Sequence, residues 1–100
     1  MDASFSLTRL IEEVEALLAG ADFEGAEAVL CGCLGREPRY EHFVHFQLGR
    51  MYARWNKLSS SLNHLSRAAE LAHTLGDEIL GVQIAAELSA VRRAQKEQKP

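Results

Sequence analysis

Cys31, Cys33, His42 and His45 fall within one short stretch, CGCLGREPRYEHFVH, and are the residue types that bind zinc or exchange disulfides. Their phase argues against a shared site. Cys31 and Cys33 sit about 200° apart around an α-helix, so both sulfurs cannot face one metal while the helix persists. His42 and His45 are three apart and share a face, as helical zinc ligands often do, but the combined spacing fits no zinc motif. Packing between helices is the reading adopted, with no metal and no cofactor expected. A metal-binding protein remains the distant alternative.

Catalysis finds no foothold in the sequence. It contains no G-x-S-x-G, no phosphate-binding loop and no H-E-x-x-H. Ser59, Ser60 and Ser61 open a helix, where hydroxyls satisfy free amides. Glu12, Glu13 and Glu15 read as a solvated helix face. Arg92, Arg93, Lys96 and Lys99 lack interleaved aromatics, which makes a weak nucleic-acid footprint, and cations also suit the last turns of a helix. The expectation is a protein that is not an enzyme.

The elements that must position these residues are helical throughout. At 100 residues, with 47% apolar and 25% charged residues, the chain has room for one domain with a single small core. Residues 1–35 carry seven acids against one base, net −6, whereas residues 36–100 are net +3, giving an acidic end and a basic end. No apolar run approaches the roughly 18 residues that cross a bilayer, and MDASFS lacks a signal-peptide pattern, so the cytoplasm is the expected compartment.

Apolar residues recur at helical spacing. Leu7 to Leu18 form a stripe closed by Gly20. Asp22 caps a second helix that ends before Pro38. A third covers about Arg39 to Arg54, a fourth Leu58 to Leu75 after a turn at Asn56, and a fifth about Glu78 to Lys96 after Gly76 and Asp77. Short joints make neighbouring helices antiparallel. Sliding the chain by 35 residues sets Leu17 on Tyr52, Phe23 on Leu58, Ala26 on Ser61, Leu30 on Leu65 and Cys33 on Ala68. Large falls on large and small on small, as a repeated helical hairpin requires.

Leu48, Gly49 and Tyr52 in HFQLGRMY match L-G-x2-Y, with Leu65 and Ala68 following in register; residues 42–75 thereby resemble a tetratricopeptide repeat. Residues 5–38 are similar in their second helix, through Phe23, Ala26, Leu30, Cys33 and Pro38. His45, Ser61 and His73 stand where the family has tryptophan, alanine and proline. The resemblance implies an all-α fold of about five helices, antiparallel hairpins stacked as a right-handed superhelix, in one domain over residues 1–100 with a capping helix at about 77–97.

It also implies a concave groove lined by first helices, and hence protein–protein binding. The expected groove residues are Ile11 and Glu15 on the first helix, Phe43, Phe46 and Arg50 on the third, and Leu80, Ile84 and Glu87 on the fifth; they suit an apolar peptide or amphipathic helix. The lysine and asparagine set that clamps a C-terminal carboxylate in some family members is absent. The fifth helix carries two apolar stripes, Leu80–Ile84–Leu88–Val91 and Ile79–Val82–Ala86–Ala90. A cap needs only one, so a second chain is expected to cover the other, with Leu88 and Val91 as the possible oligomer face. The alternatives are a small chaperone, for example of a bacterial secretion substrate, and a homo-oligomeric scaffold.

Overall fold

Ser6, Asp22 and Asp77 each precede a helix and accept a hydrogen bond from the backbone amide three residues on, at 3.2, 2.9 and 3.1 Å respectively. Each satisfies a donor that the first helical turn leaves unpaired. In the computed structural model, which describes residues 6–98, these caps start α1 (Leu7–Ala19), α2 (Phe23–Leu34) and α5 (Glu78–Gln98). Between them lie α3 (Glu41–Arg54) and α4 (Leu58–Leu75). The sequence placed the start of α3 near Arg39. It begins later because Pro38–Tyr40 form a 3-10 turn first. The described residues are all-helical apart from the joints; the proposed start of the first repeat at residue 5 and the basic residue Lys99 lie outside them.

The 35-residue period reappears in the backbone of the turns. Ala21 and Asn56, one period apart, both adopt left-handed conformations at φ 58° and 61°. Asp22 N–H donates to the Leu17 carbonyl and Lys57 N–H to that of Tyr52, each at 2.8 Å. Ala21 N–H to Leu18 and Asn56 N–H to Ala53 complete the pair at 3.0 and 3.1 Å. This double bond across a left-handed residue closes a helix by satisfying its last carbonyls. The end of α4 repeats it with Gly76 at φ 74° and Asp77 N–H donating to Ala72 at 2.9 Å. Glycine and asparagine tolerate this conformation, whereas Ala21 adopts it at a cost of about 1 kcal/mol. Gly20, which the sequence marked as the stop, keeps a negative φ of −91°.

Consecutive helices pack on one another, and α3 also reaches α5. α3 is the central element and buries two faces. Val44, Leu48, Met51 and Tyr52 join Leu10, Val14, Leu18, Ala26, Leu30 and Cys33 in a core between α1, α2 and α3. Phe46, on another side of the helix, joins Leu58, Leu65, Ala68, Ala72, Leu80, Ile84 and Val91 in a second core between α3, α4 and α5. Fully burying a side chain such as Leu30, Leu65 or Ile84 contributes about 2 kcal/mol. Gly49 permits the closest approach of α3 to α4: a Cβ there would lie 2.5 Å from Leu65 Cδ2, and the buried Ser61 hydroxyl donates to the Gly49 carbonyl at 2.7 Å.

Candidate functional site

The two cores decide which of the expected groove residues are open. Phe46 is only 5% exposed, and Leu80 and Ile84 are buried beside it. These three anchors fill the second core instead of lining a cleft, because α5 folds back against α4 and α3. Arg50 and Glu87, expected to orient a partner, face each other across α3 and α5 at 3.7 Å, with the Arg50 guanidinium 5.6 Å from the Phe46 ring centroid. Phe43 and Ile11 are half-buried and Glu15 is exposed. The oligomer face also needs correction: Val91 is buried and Leu88 packs against the second core, since both lie on the inward stripe of α5.

The other stripe of α5 faces outward. Ile79 is 78% exposed and Val82 71%, and Leu75 at the end of α4 is 61% exposed. Ala86 and Ala90 continue the line down the helix, also exposed. An aliphatic strip of this length on one helix face is a surface that association would remove from water. Beside its N-terminal half, Ala69, Ala72 and Gly81, with Asp77 and Glu78, line a groove of about 330 Å³.

The tempting chemical residues are dispersed. Cys31 is exposed and Cys33 buried, in keeping with their phase, and desolvation pushes both thiols above the ordinary value, opposite to an activated thiolate. His42 and His45 take different partners. His42 Nε2 lies 3.8 Å from Asp77 at the α4–α5 joint, whereas His45 Nδ1 is 3.0 Å from His64 Nδ1 on α4. Among the described residues no three His, Cys, Asp or Glu side chains converge to hold a metal ion.

His45 and His64 belong to a column of stacked rings that the sequence did not reveal. It runs Phe23, Trp55, Tyr52, His64 and His45, with neighbouring centroids 5.2–6.2 Å apart. Lys57 Nζ lies 3.6 Å from the Trp55 centroid. Tyr52 donates its hydroxyl to Glu27, and its own ionisation is pushed up by burial and by that carboxylate. No sequence signal could have paired His45 with His64, which are 19 residues apart on different helices. The column ties α2, α3 and α4 together.

One proton fits between the two Nδ1 atoms when both rings are neutral, one nitrogen donating and the other accepting. Burial holds both rings below the usual histidine range. For His45 the neighbouring His64 and Arg67 add to this and Glu41 opposes it, while Glu27 opposes it for His64. The folded state therefore binds fewer protons at these two rings than the unfolded chain just below the ordinary histidine pKa, so stability is lost as the pH drops through that value and the loss levels off below the folded-state values. Thermal unfolding measured from neutral to mildly acidic pH should show this decline, and H45Q/H64Q should flatten it.

The chain matches no protein-family model, and neither a curated protein nor a solved structure matches it. Among the described residues no helix is long and apolar enough to cross a membrane.

Proposed function

We propose that this chain is a tetratricopeptide-like interaction module, acting by binding and not by catalysis, whose docking surface is the outer face of α5. Support for the family reading comes from Leu48, Gly49 and Tyr52, which turn inward while Gly49 meets Leu65. The turn geometry shared by Ala21 and Asn56 supports a repeated hairpin. A first hairpin of α1 and α2, a second of α3 and α4, and α5 laid on the last of them make the proposed superhelical stack.

The observation that carries the functional reading is the exposed strip of Ile79 and Val82 on α5, lying opposite a fully buried Ile84, with Leu75 at the end of α4 also exposed. An amphipathic helix laid along it would bury these side chains in the i, i+3, i+7 pattern of helix recognition. V82E tests this. A polar substitution at an open surface position changes stability by about 0.5 kcal/mol or less, so the unfolding midpoint should stay near that of the wild type. Affinity for a helical partner should fall by about 2 kcal/mol, the loss expected when an interface anchor is removed. Unchanged binding would place the docking surface elsewhere.

A further inference from the structure

We infer that the occupant of this face is α5 of a second copy of the chain, laid antiparallel across it; the inference rests on the docking reading above. The charges along α5 select the partner and its direction. Glu78 lies near the start of the helix, and Arg92, Arg93 and Lys96, with a single acid Glu97 beside them, lie near its end, which is net basic. On an α-helix Glu78, Arg92 and Lys96 fall along the same flank of the Ile79–Val82–Ala86–Ala90 strip. Among the described residues none of these charged groups has an ion-pair partner in its own chain.

Antiparallel apposition brings Glu78 of one copy beside Arg92 and Lys96 of the other, twice over, because a two-fold contact repeats every pair. With Ala86 on Ala86 at the axis, Val82 of one copy meets the second copy's Ala90, and Ile79 meets the aliphatic stem of its Arg93. Large side chains thus oppose small ones, and the alanines allow close approach of the helices. The groove at Asp77 and Glu78 gives the Lys96 ammonium an acidic seat.

Two other pairings are less favourable. Parallel α5 helices related by a two-fold would put the charged flank of one copy on the far side of the contact from that of the other and set both acidic ends at the same level, so Glu78 would meet neither Arg92 nor Lys96 of the second copy. Docking on the acidic α1 of another copy would satisfy the basic residues, but the exposed face of α1 presents Glu12, Glu13 and Glu15 and no large apolar side chain for Ile79 and Val82. The contact from Ile79 to Arg93 spans about 20 Å of helix. That is the small end of specific interfaces, so the dimer forms reversibly and depends on concentration.

The test is sedimentation equilibrium of the full chain from micromolar to near-millimolar concentration. The wild type should move from monomer to dimer. V82E should stay monomeric. E78R alone and R92E/K96E alone should each weaken association by about tenfold or more, the effect of roughly 1.4 kcal/mol of like-charge contact, and their equimolar mixture should associate at least as well as the wild type. A monomer at every concentration, or single charge reversals without effect, would overturn the antiparallel pairing. If the wild type is a monomer yet retains another helical polypeptide that V82E loses, the self-pairing fails and the docking face stands; if V82E loses nothing either, both fall.

Discussion

Phe46→Ala should destabilise the fold by about 3–4 kcal/mol, the cost of emptying a well-packed aromatic site. Phe46 is buried with Leu65, Leu80 and Ile84 where α3, α4 and α5 meet, and the Arg50 guanidinium lies over its ring. Removing the ring leaves a cavity that three helices cannot easily collapse, and it loosens the Arg50–Glu87 pair that ties α3 to α5. A domain of this size has roughly 5–10 kcal/mol in total, so the variant should unfold at much lower denaturant and lose helicity on mild warming. Phe46→Leu, which refills most of the volume, should cost far less. A Phe46→Ala chain that unfolded within about 0.5 kcal/mol of the wild type would mean that the ring is solvent-exposed and that α5 does not close over it.

The second large effect is expected at Gly49. A Cβ at this position would lie 2.5 Å from both Cγ and Cδ2 of Leu65 and 3.3 Å from the Leu65 backbone nitrogen, whereas carbon atoms pack at about 3.5–4.0 Å. Gly49→Val must therefore push α3 and α4 apart, which also stretches the 2.7 Å bond from Ser61 to the Gly49 carbonyl. Overpacking of this kind costs about 3 kcal/mol. Gly49→Ala should cost less, because the gain in helix propensity of about 1 kcal/mol opposes the clash. The control is Gly81→Ala on α5, where nothing lies within 4 Å of an added Cβ; the same exchange there should be stabilising. Denaturant midpoints of the three variants measure the contrast. Equal effects at positions 49 and 81 would show that α3 and α4 do not approach at Gly49.

The helices and most of their ends were legible because local chemistry sets them, the start of α3 excepted, where Pro38–Tyr40 form a 3-10 turn first. Asp22 and Asp77 cap where their side chains can reach free amides, while the Ser6 cap of α1 went unmarked in the sequence, and the 35-residue echo in apolar positions reappears in the turns at Ala21 and Asn56. The groove was misplaced for a tertiary reason. Phe46 was assigned to an open side of α3 on the premise that this helix buries one face, yet Val44, Leu48, Met51 and Tyr52 serve one core and Phe46 another. A helix with apolar residues around most of its circumference is a central helix. That signal was present in VHFQLGRMY and favoured burial of Phe46. On α5 the two stripes were legible but not their order, because Leu80–Ile84–Leu88–Val91 and Ile79–Val82–Ala86–Ala90 differ by phase alone, and only the docking of α5 on α4 decides which faces inward. The pairing of His45 with His64, and the ring column it ends, depend wholly on how α3 meets α4.

The central claim is that α5 buries one apolar stripe and offers the other, and equilibrium unfolding of I84E beside V82E tests it most directly. Ile84 is fully buried and Val82 is 71% exposed. A carboxylate forced into the second core at position 84 should abolish cooperative folding, since an unpaired buried charge costs several kcal/mol, whereas V82E, measured at low micromolar concentration where the wild type is a monomer, should unfold at the wild-type midpoint. Equal tolerance at both positions would mean that α5 does not dock on α4, and equal loss at both would mean that its outer face is already sealed within the chain.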